Sequence, residues 1–78
     1  MPTVWRNGPF RFFFYSNEGT EPPHVHVQEG RKLAKFWLDP ISLAASKHFQ
    51  SHELSRLERL IVEHHQQLVE AWHAFFNG

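Results

Sequence analysis

The run Phe10-Arg11-Phe12-Phe13-Phe14-Tyr15-Ser16 constrains this chain more than any other stretch. Successive side chains of a strand point to opposite faces. Phe10, Phe12 and Phe14 then share one face, and Arg11, Phe13 and Tyr15 share the other. Rings on both faces require cover on both sides, so the run belongs in the middle of a sheet. A C-terminal helix is the expected cover for one face, and a second copy of the chain for the other. The chain has 78 residues, among them eight Phe, three Trp and one Tyr. A domain this small buries only about 60% of its unfolded surface, so rings that each remove roughly 150–250 Å² from water carry much of its stability. It has no cysteine, which removes disulfides and thiolate metal sites as substitutes for a core. Oligomerisation is the other usual remedy at this size, and a homo-oligomer is expected.

Turn signals divide the rest. Residues 3–6, at the end of the run that begins Met1-Pro2, read as a first strand. Asn7-Gly8 follows as a hairpin turn, because both residues tolerate positive φ. Pro9 precedes the aromatic strand at 10–16, where a missing N–H is harmless. A polar loop leads to a strand at 24–28, and Glu29-Gly30 turns the chain into another at 31–38. There Ala34, Phe36 and Leu38 form the more apolar face. Short connections make this a three- to four-stranded antiparallel meander. Asp39-Pro40 is a good N-cap followed by a good first helical residue, so a short helical turn is expected at 40–45. From 52 to 76 there is neither Gly nor Pro. Leu54, Leu57, Ile61, His64, Leu68, Trp72 and Phe75 recur at helical spacing, which predicts one amphipathic helix packed on one sheet face. Such a helix spans roughly 37 Å, so its end is expected to project onto a partner or cross the sheet diagonally. The fold class is α+β, with residues 1–78 a single domain.

Lys plus Arg and Asp plus Glu both number 8. A chain without net charge lacks the global basic field of a simple electrostatic nucleic-acid binder, although a local patch is compatible with it. The seven histidines make its charge sensitive to pH below about 6.5. No export signal and no apolar run of membrane-spanning length is present, so no membrane partner is expected and a cytoplasmic location is.

The stretch with most chemical content is Glu21-Pro22-Pro23-His24-Val25-His26-Val27. The prolines stiffen the approach to the strand. His24 and His26 point to one face, and Val25 and Val27 point to the other, towards the helix-covered core. Three readings fit. In the first, a histidine near its natural pKa acts as general acid or base on RNA without a metal, with Glu21 beside it. The 2′-hydroxyl is then the nucleophile, and Arg11 or Arg6 stabilises the phosphate. In the second, His24 and His26 are ligands of a divalent transition metal completed by Glu21, Glu18 or a helix histidine. In the third, both rings simply hydrogen-bond to loop carbonyls and the backbone of residues 17–21. His64 lies on the helix seam as a core residue or reaches over the sheet. With the valines facing the helix, a group from a second subunit is better placed than His64 to meet His24 and His26. His48, His52 and His73 read as connector or surface residues. The aromatic strand reads as core rather than as a base-stacking platform. A catalytic prolyl amine at Pro2 is the remotest reading.

These motifs carry a resemblance. Pro2-Thr3-Val4 with Arg6, the run 10–16, Asn17-Glu18, the run 21–27, Ala34-Lys35-Phe36-Trp37-Leu38-Asp39-Pro40 and Ala71-Trp72 together resemble a family of small bacterial proteins. That family is known only as a domain of unknown function and has no established activity. Its members commonly carry Ser where Gln50 stands, in a Ser-x-x-Glu capping box, so Ser51 is expected to cap the helix here. The resemblance implies a gene neighbourhood suggestive of a toxin–antitoxin pair, hence a cognate small protein partner. The leading expectation is a toxin-like protein acting on RNA or translation, with metal-independent ribonuclease as its enzymatic form. A non-catalytic interaction module and a metal-binding protein or metal-dependent hydrolase are the alternatives.

Overall fold

The computed structural model describes residues 3–77. Five strands, β1 (Thr3–Asn7), β2 (Phe10–Phe13), β3 (His24–Glu29), β4 (Lys32–Leu38) and β5 (Ile41–Lys47), form one antiparallel sheet in sequence order. Two helices follow, α1 (Ser51–Glu63) and α2 (His65–Asn77). The expected strand residues Met1 and Pro2, and with them the prolyl amine, lie outside the described residues.

The aromatic alternation sets the layers. Phe10, Phe12 and Phe14 are buried on one face with Val25, Val27, Ala34, Phe36 and Leu38. Leu57 and Ile61 of α1 and Leu68 and Trp72 of α2 close that core. Burying each large aliphatic or aromatic side chain contributes roughly 1.5–3 kcal/mol, which offsets the ordering cost of so short a chain. Gly8 (φ 57°) and Gly30 (φ 60°) make the first and third hairpin turns, where a Cβ would be strained. β2 stops at Phe13 rather than at residue 16, so the chain leaves the sheet early and residues 14–23 form the loop that matters below.

Three expectations are corrected. The helical turn at 40–45 is strand β5, and the sheet has five strands. Asp39-Pro40 serves as a two-residue hairpin turn, and residues 41–47 pair along β4 instead of coiling. The sheet bonds offered by β4 outweigh the local preference of Asp-Pro for a helix start. A bulge at Ala44 keeps Ile41 and Leu43 opposite Leu38 and Phe36, and Ala45 and Lys47 opposite Lys35 and Leu33.

The single helix at 52–76 is two helices of 13 residues each, broken at His64. The backbone there leaves helical geometry (φ −116°, ψ 22°). The cause is tertiary. The His64 ring packs on Trp5 of β1 at 4.2 Å, its Nδ1–H donates to the Leu60 carbonyl, and the His65 ring donates to the Leu38 carbonyl at the end of β4. Beyond the break α2 stays on the sheet, with Trp72 packed on Phe14 and His24.

Gln50, not Ser51, is the N-cap of α1, and Glu53 accepts from the Gln50 N–H at 2.9 Å. Gln50 and Glu53 form the capping box without the serine.

The sheet face away from the helices carries three rows of side chains. Arg11, Gln28, Leu33 and Lys47 make one; Phe13, His26, Lys35 and Ala45 the next; His24, Trp37 and Ser42 the last. Phe13 is nonetheless buried, beneath the Arg11 guanidinium (4.5 Å), against Tyr15 and the His26 ring. Among the described residues no helix is long and apolar enough to cross a membrane.

Candidate functional site

β3 begins where β2 has already ended. His26 pairs with Phe13, whereas His24 has a strand neighbour only on the β4 side, Trp37. Trp72 of α2 fills the gap, its ring 4.8 Å from that of His24. Both histidines lie by register on the sheet face away from the helices, as expected, but beyond the end of β2 the helix α2 also reaches His24, which has no exposed surface.

The loop brings an acid to these rings. A turn in which the Glu21 N–H donates to the Glu18 carbonyl (3.1 Å) folds residues 18–21 back on the sheet. Oε1 of Glu18 then stands 2.8 Å from Nε2 of His24 and 2.8 Å from Nε2 of His26. Glu18 is thus the carboxylate of the cluster. Glu21 instead accepts from Lys35 Nζ at 2.8 Å, and Lys35 also lies over the Trp37 ring. Arg11 is one row away, donating to Thr3 and Gln28. Arg6 is exposed on β1. His64, committed to Leu60 and Trp5, does not join the cluster.

Proton positions follow from the partners. His24 Nδ1 faces the Pro22 carbonyl at 2.9 Å, so it must carry a hydrogen and donate. Its Nε2 then meets the Glu18 oxygen as a donor only when the ring carries both protons. For His26, Nε2–H donates to Glu18. Its Nδ1 has no hydrogen bond among the described residues and is not buried without a partner, so it is open to solvent. Burial holds the His26 pKa below its ordinary value, outweighing the attraction of Glu18, and the neighbouring charges of His24 and Lys35 add to the lowering. Burial also pushes the Glu18 carboxyl up, but the hydrogen bonds and charge of the two imidazoles prevail and leave it below its ordinary value. At neutral pH the arrangement is a carboxylate beside a neutral His26 ring.

His26 opens on a shallow cleft of ≈370 Å³, lined also by Tyr15, Lys35, Ala45, Ser46 and Lys47. Lys47 beside an imidazole suits an anionic ligand, whereas Lys35 is paired with Glu21. The sequence named His24 and His26 and placed Glu18 among the acids able to complete a metal set. It did not single out Lys35, which β4 places opposite His26, nor Trp72 and Lys47, which lie beyond the helix break and on β5. Glu18, His24 and His26 are also the group among the described residues with donor atoms close enough (within 4.8 Å of one another) to hold one metal ion.

Comparison with curated proteins and with solved structures finds no match. The family described as a domain of unknown function (DUF4160) matches residues 10–73, which include β2 to β5, the Glu18 loop, α1 and most of α2. With that match over most of its length, the chain belongs to the DUF4160 family of domains of unknown function.

Proposed function

We propose that this protein is the toxin-like member of a two-protein toxin–antitoxin-type system, cytoplasmic, and that it cleaves RNA at the His26 face of the sheet. The observation that carries this is the Glu18–His26 pair. Glu18 takes the Nε2–H, which fixes the tautomer and leaves the Nδ1 lone pair facing solvent beside the cleft of Lys35 and Lys47. A carboxylate that orients an imidazole in this way makes it an effective base. The lowered pKa keeps that base unprotonated at pH 7.

In the reaction, His26 Nδ1 takes the proton of a ribose 2′-hydroxyl. The 2′-oxygen attacks the adjacent phosphorus, and the bond to the 5′-oxygen breaks. The leaving oxygen receives the proton held by His26, giving a 2′,3′-cyclic phosphate and a 5′-hydroxyl. Lys47 and Arg11, on the same sheet face, balance the phosphate charge. His24 is buried and acts by positioning Glu18.

Expression in a bacterium tests this. Wild-type protein should arrest growth, and His26→Gln should not. Purified protein in EDTA should cut single-stranded RNA to cyclic-phosphate ends. Harmless expression together with intact RNA removes the reading.

A non-catalytic docking module has one observation of its own. Strand β5 is one edge of the sheet, and Leu43 on it is 42% exposed. Light scattering on the eluted protein addresses it, because a strict monomer that stays monomeric at high concentration counts against an edge that pairs with copies of itself.

A further inference from the structure

We propose that Glu18, His24 and His26 bind a single divalent transition-metal ion of the zinc class, and that its binding takes His26 out of use as a base. The metal site stands on its own observations. Only its consequence for RNA cleavage rests on the reading above.

Two imidazole nitrogens and one carboxylate oxygen converge, all within 4.8 Å of one another. This is a three-protein-ligand set known for zinc, with a fourth position left for water. His24 is already oriented as a ligand. Its Nδ1–H donates to the Pro22 carbonyl, and imidazoles that ligate metals almost always donate their other N–H to such a group. Pro22 and Pro23 stiffen the chain at that carbonyl, and Trp37 and Trp72 enclose the ring. It cannot turn away from Glu18.

Without a cation, His24 satisfies both of its acceptors only as a fully buried imidazolium. A metal ion takes the place of the Nε2 proton and supplies the positive charge itself. The Glu18 oxygen now stands at hydrogen-bonding distance, 2.8 Å, from each imidazole nitrogen. Zinc bonds of about 2.0–2.1 Å in a tetrahedron separate donors by about 3.3–3.4 Å, so the carboxylate must retreat by about half an ångström and the two nitrogens, within 4.8 Å of each other, must settle at that same separation. Glu18 is on a loop rather than in the sheet, and it is the ligand able to make that shift.

The exclusion follows from imidazole chemistry. A neutral ring has one lone-pair nitrogen. When His26 Nε2 binds metal, its Nδ1 must carry the proton, and Nδ1 is the atom required as the base. Metal-free and metal-bound chains are therefore two tautomeric states of the same ring.

The test uses tagless protein stripped with EDTA and titrated with zinc chloride. Calorimetry should give one ion per chain. Glu18→Gln and His26→Gln should each weaken binding at least tenfold, while His52→Gln, on the exposed start of α1, should leave it unchanged. At a hundredfold excess over Kd the melting temperature should rise by about 10 °C or more. Nitrogen-15 spectra of the histidine rings should show His26 passing from the Nε2–H to the Nδ1–H form, and zinc should suppress RNA cleavage until EDTA is added. Three results overturn the proposal: no stoichiometric binding, unchanged affinity in Glu18→Gln and His26→Gln proteins with wild-type circular dichroism, or an unchanged His26 tautomer at saturation. A chain that binds zinc and switches tautomer but never cuts RNA sustains the site and removes the ribonuclease reading alone.

Discussion

Replacing Glu18 with alanine probes the cluster most directly. One oxygen of Glu18 serves two imidazoles at 2.8 Å each. A hydrogen bond to a charged group contributes roughly 1.5–3 kcal/mol net. Because the two share an acceptor, the second adds less than the first, and the pair together contributes about 2–4 kcal/mol. Bulk water cannot compensate at His24, which has no exposed surface. The Glu18–Glu21 turn also loses its anchor to the sheet. A domain of 78 residues has a total stability of about 4–12 kcal/mol, so Glu18→Ala should remove about a sixth of it or more. At about 4–8 °C per kcal/mol, the melting temperature should fall by about 10–30 °C. Glu18→Gln, which keeps an acceptor oxygen, should cost less than half as much. Urea titration of EDTA-treated protein, followed by tryptophan fluorescence, measures this, since the Trp37 and Trp72 rings lie beside His24. A loss below about 0.5 kcal/mol, or full additivity of Glu18→Ala with His24→Gln, would refute the reasoning.

Metal-free protein should lose stability as pH falls, in two stages. The folded-state pKa of His26 is lowered, so the unfolded chain binds the extra proton first and stability declines from about pH 6.5 downward. The lowered Glu18 adds a second decline below about pH 4.5, and a curve flat from pH 7 to 4 would contradict both. Leu57→Ala, which empties a fully buried site between α1 and the sheet, should cost about 2–5 kcal/mol by chemical denaturation. At Gly19 a Cβ would stand 2.7 Å from Phe76 Cδ1, and Phe76 is itself held against Phe14, Trp72 and Phe75. Gly19→Ala should therefore cost about 1–3 kcal/mol, and the cost should vanish in a Phe76→Ala background.

Much of the site was legible before folding because it is local. Strand periodicity alone puts His24 and His26 on one face and Val25 and Val27 on the other, and the rigid prolines mark the approach. The acid was harder to identify. Glu18 and Glu21 are both near in sequence, and only the turn at residues 18–21 decides that Glu18 faces the imidazoles while Glu21 faces Lys35.

The sequence by itself determined the layered α+β plan. The two-faced aromatic strand required a central position, and period-2 and period-3.6 patterns assigned the buried side of β2, β3, β4 and the C-terminal helical region. Those signals report each residue's local geometry and its preference for water or core. Tertiary structure alone decided the rest. Residues 41–47 became a strand because β4 offered an edge to pair with, against the local preference of Asp39-Pro40. The helix broke at His64 because Trp5 and the Leu38 carbonyl engage His64 and His65, contacts that no helical pattern encodes. That break brings Trp72 over His24 and closes the buried side of the cluster. Its chemistry depends on both halves: a local spacing that sets two imidazoles side by side, and a packed enclosure that fixes which of their nitrogens are free.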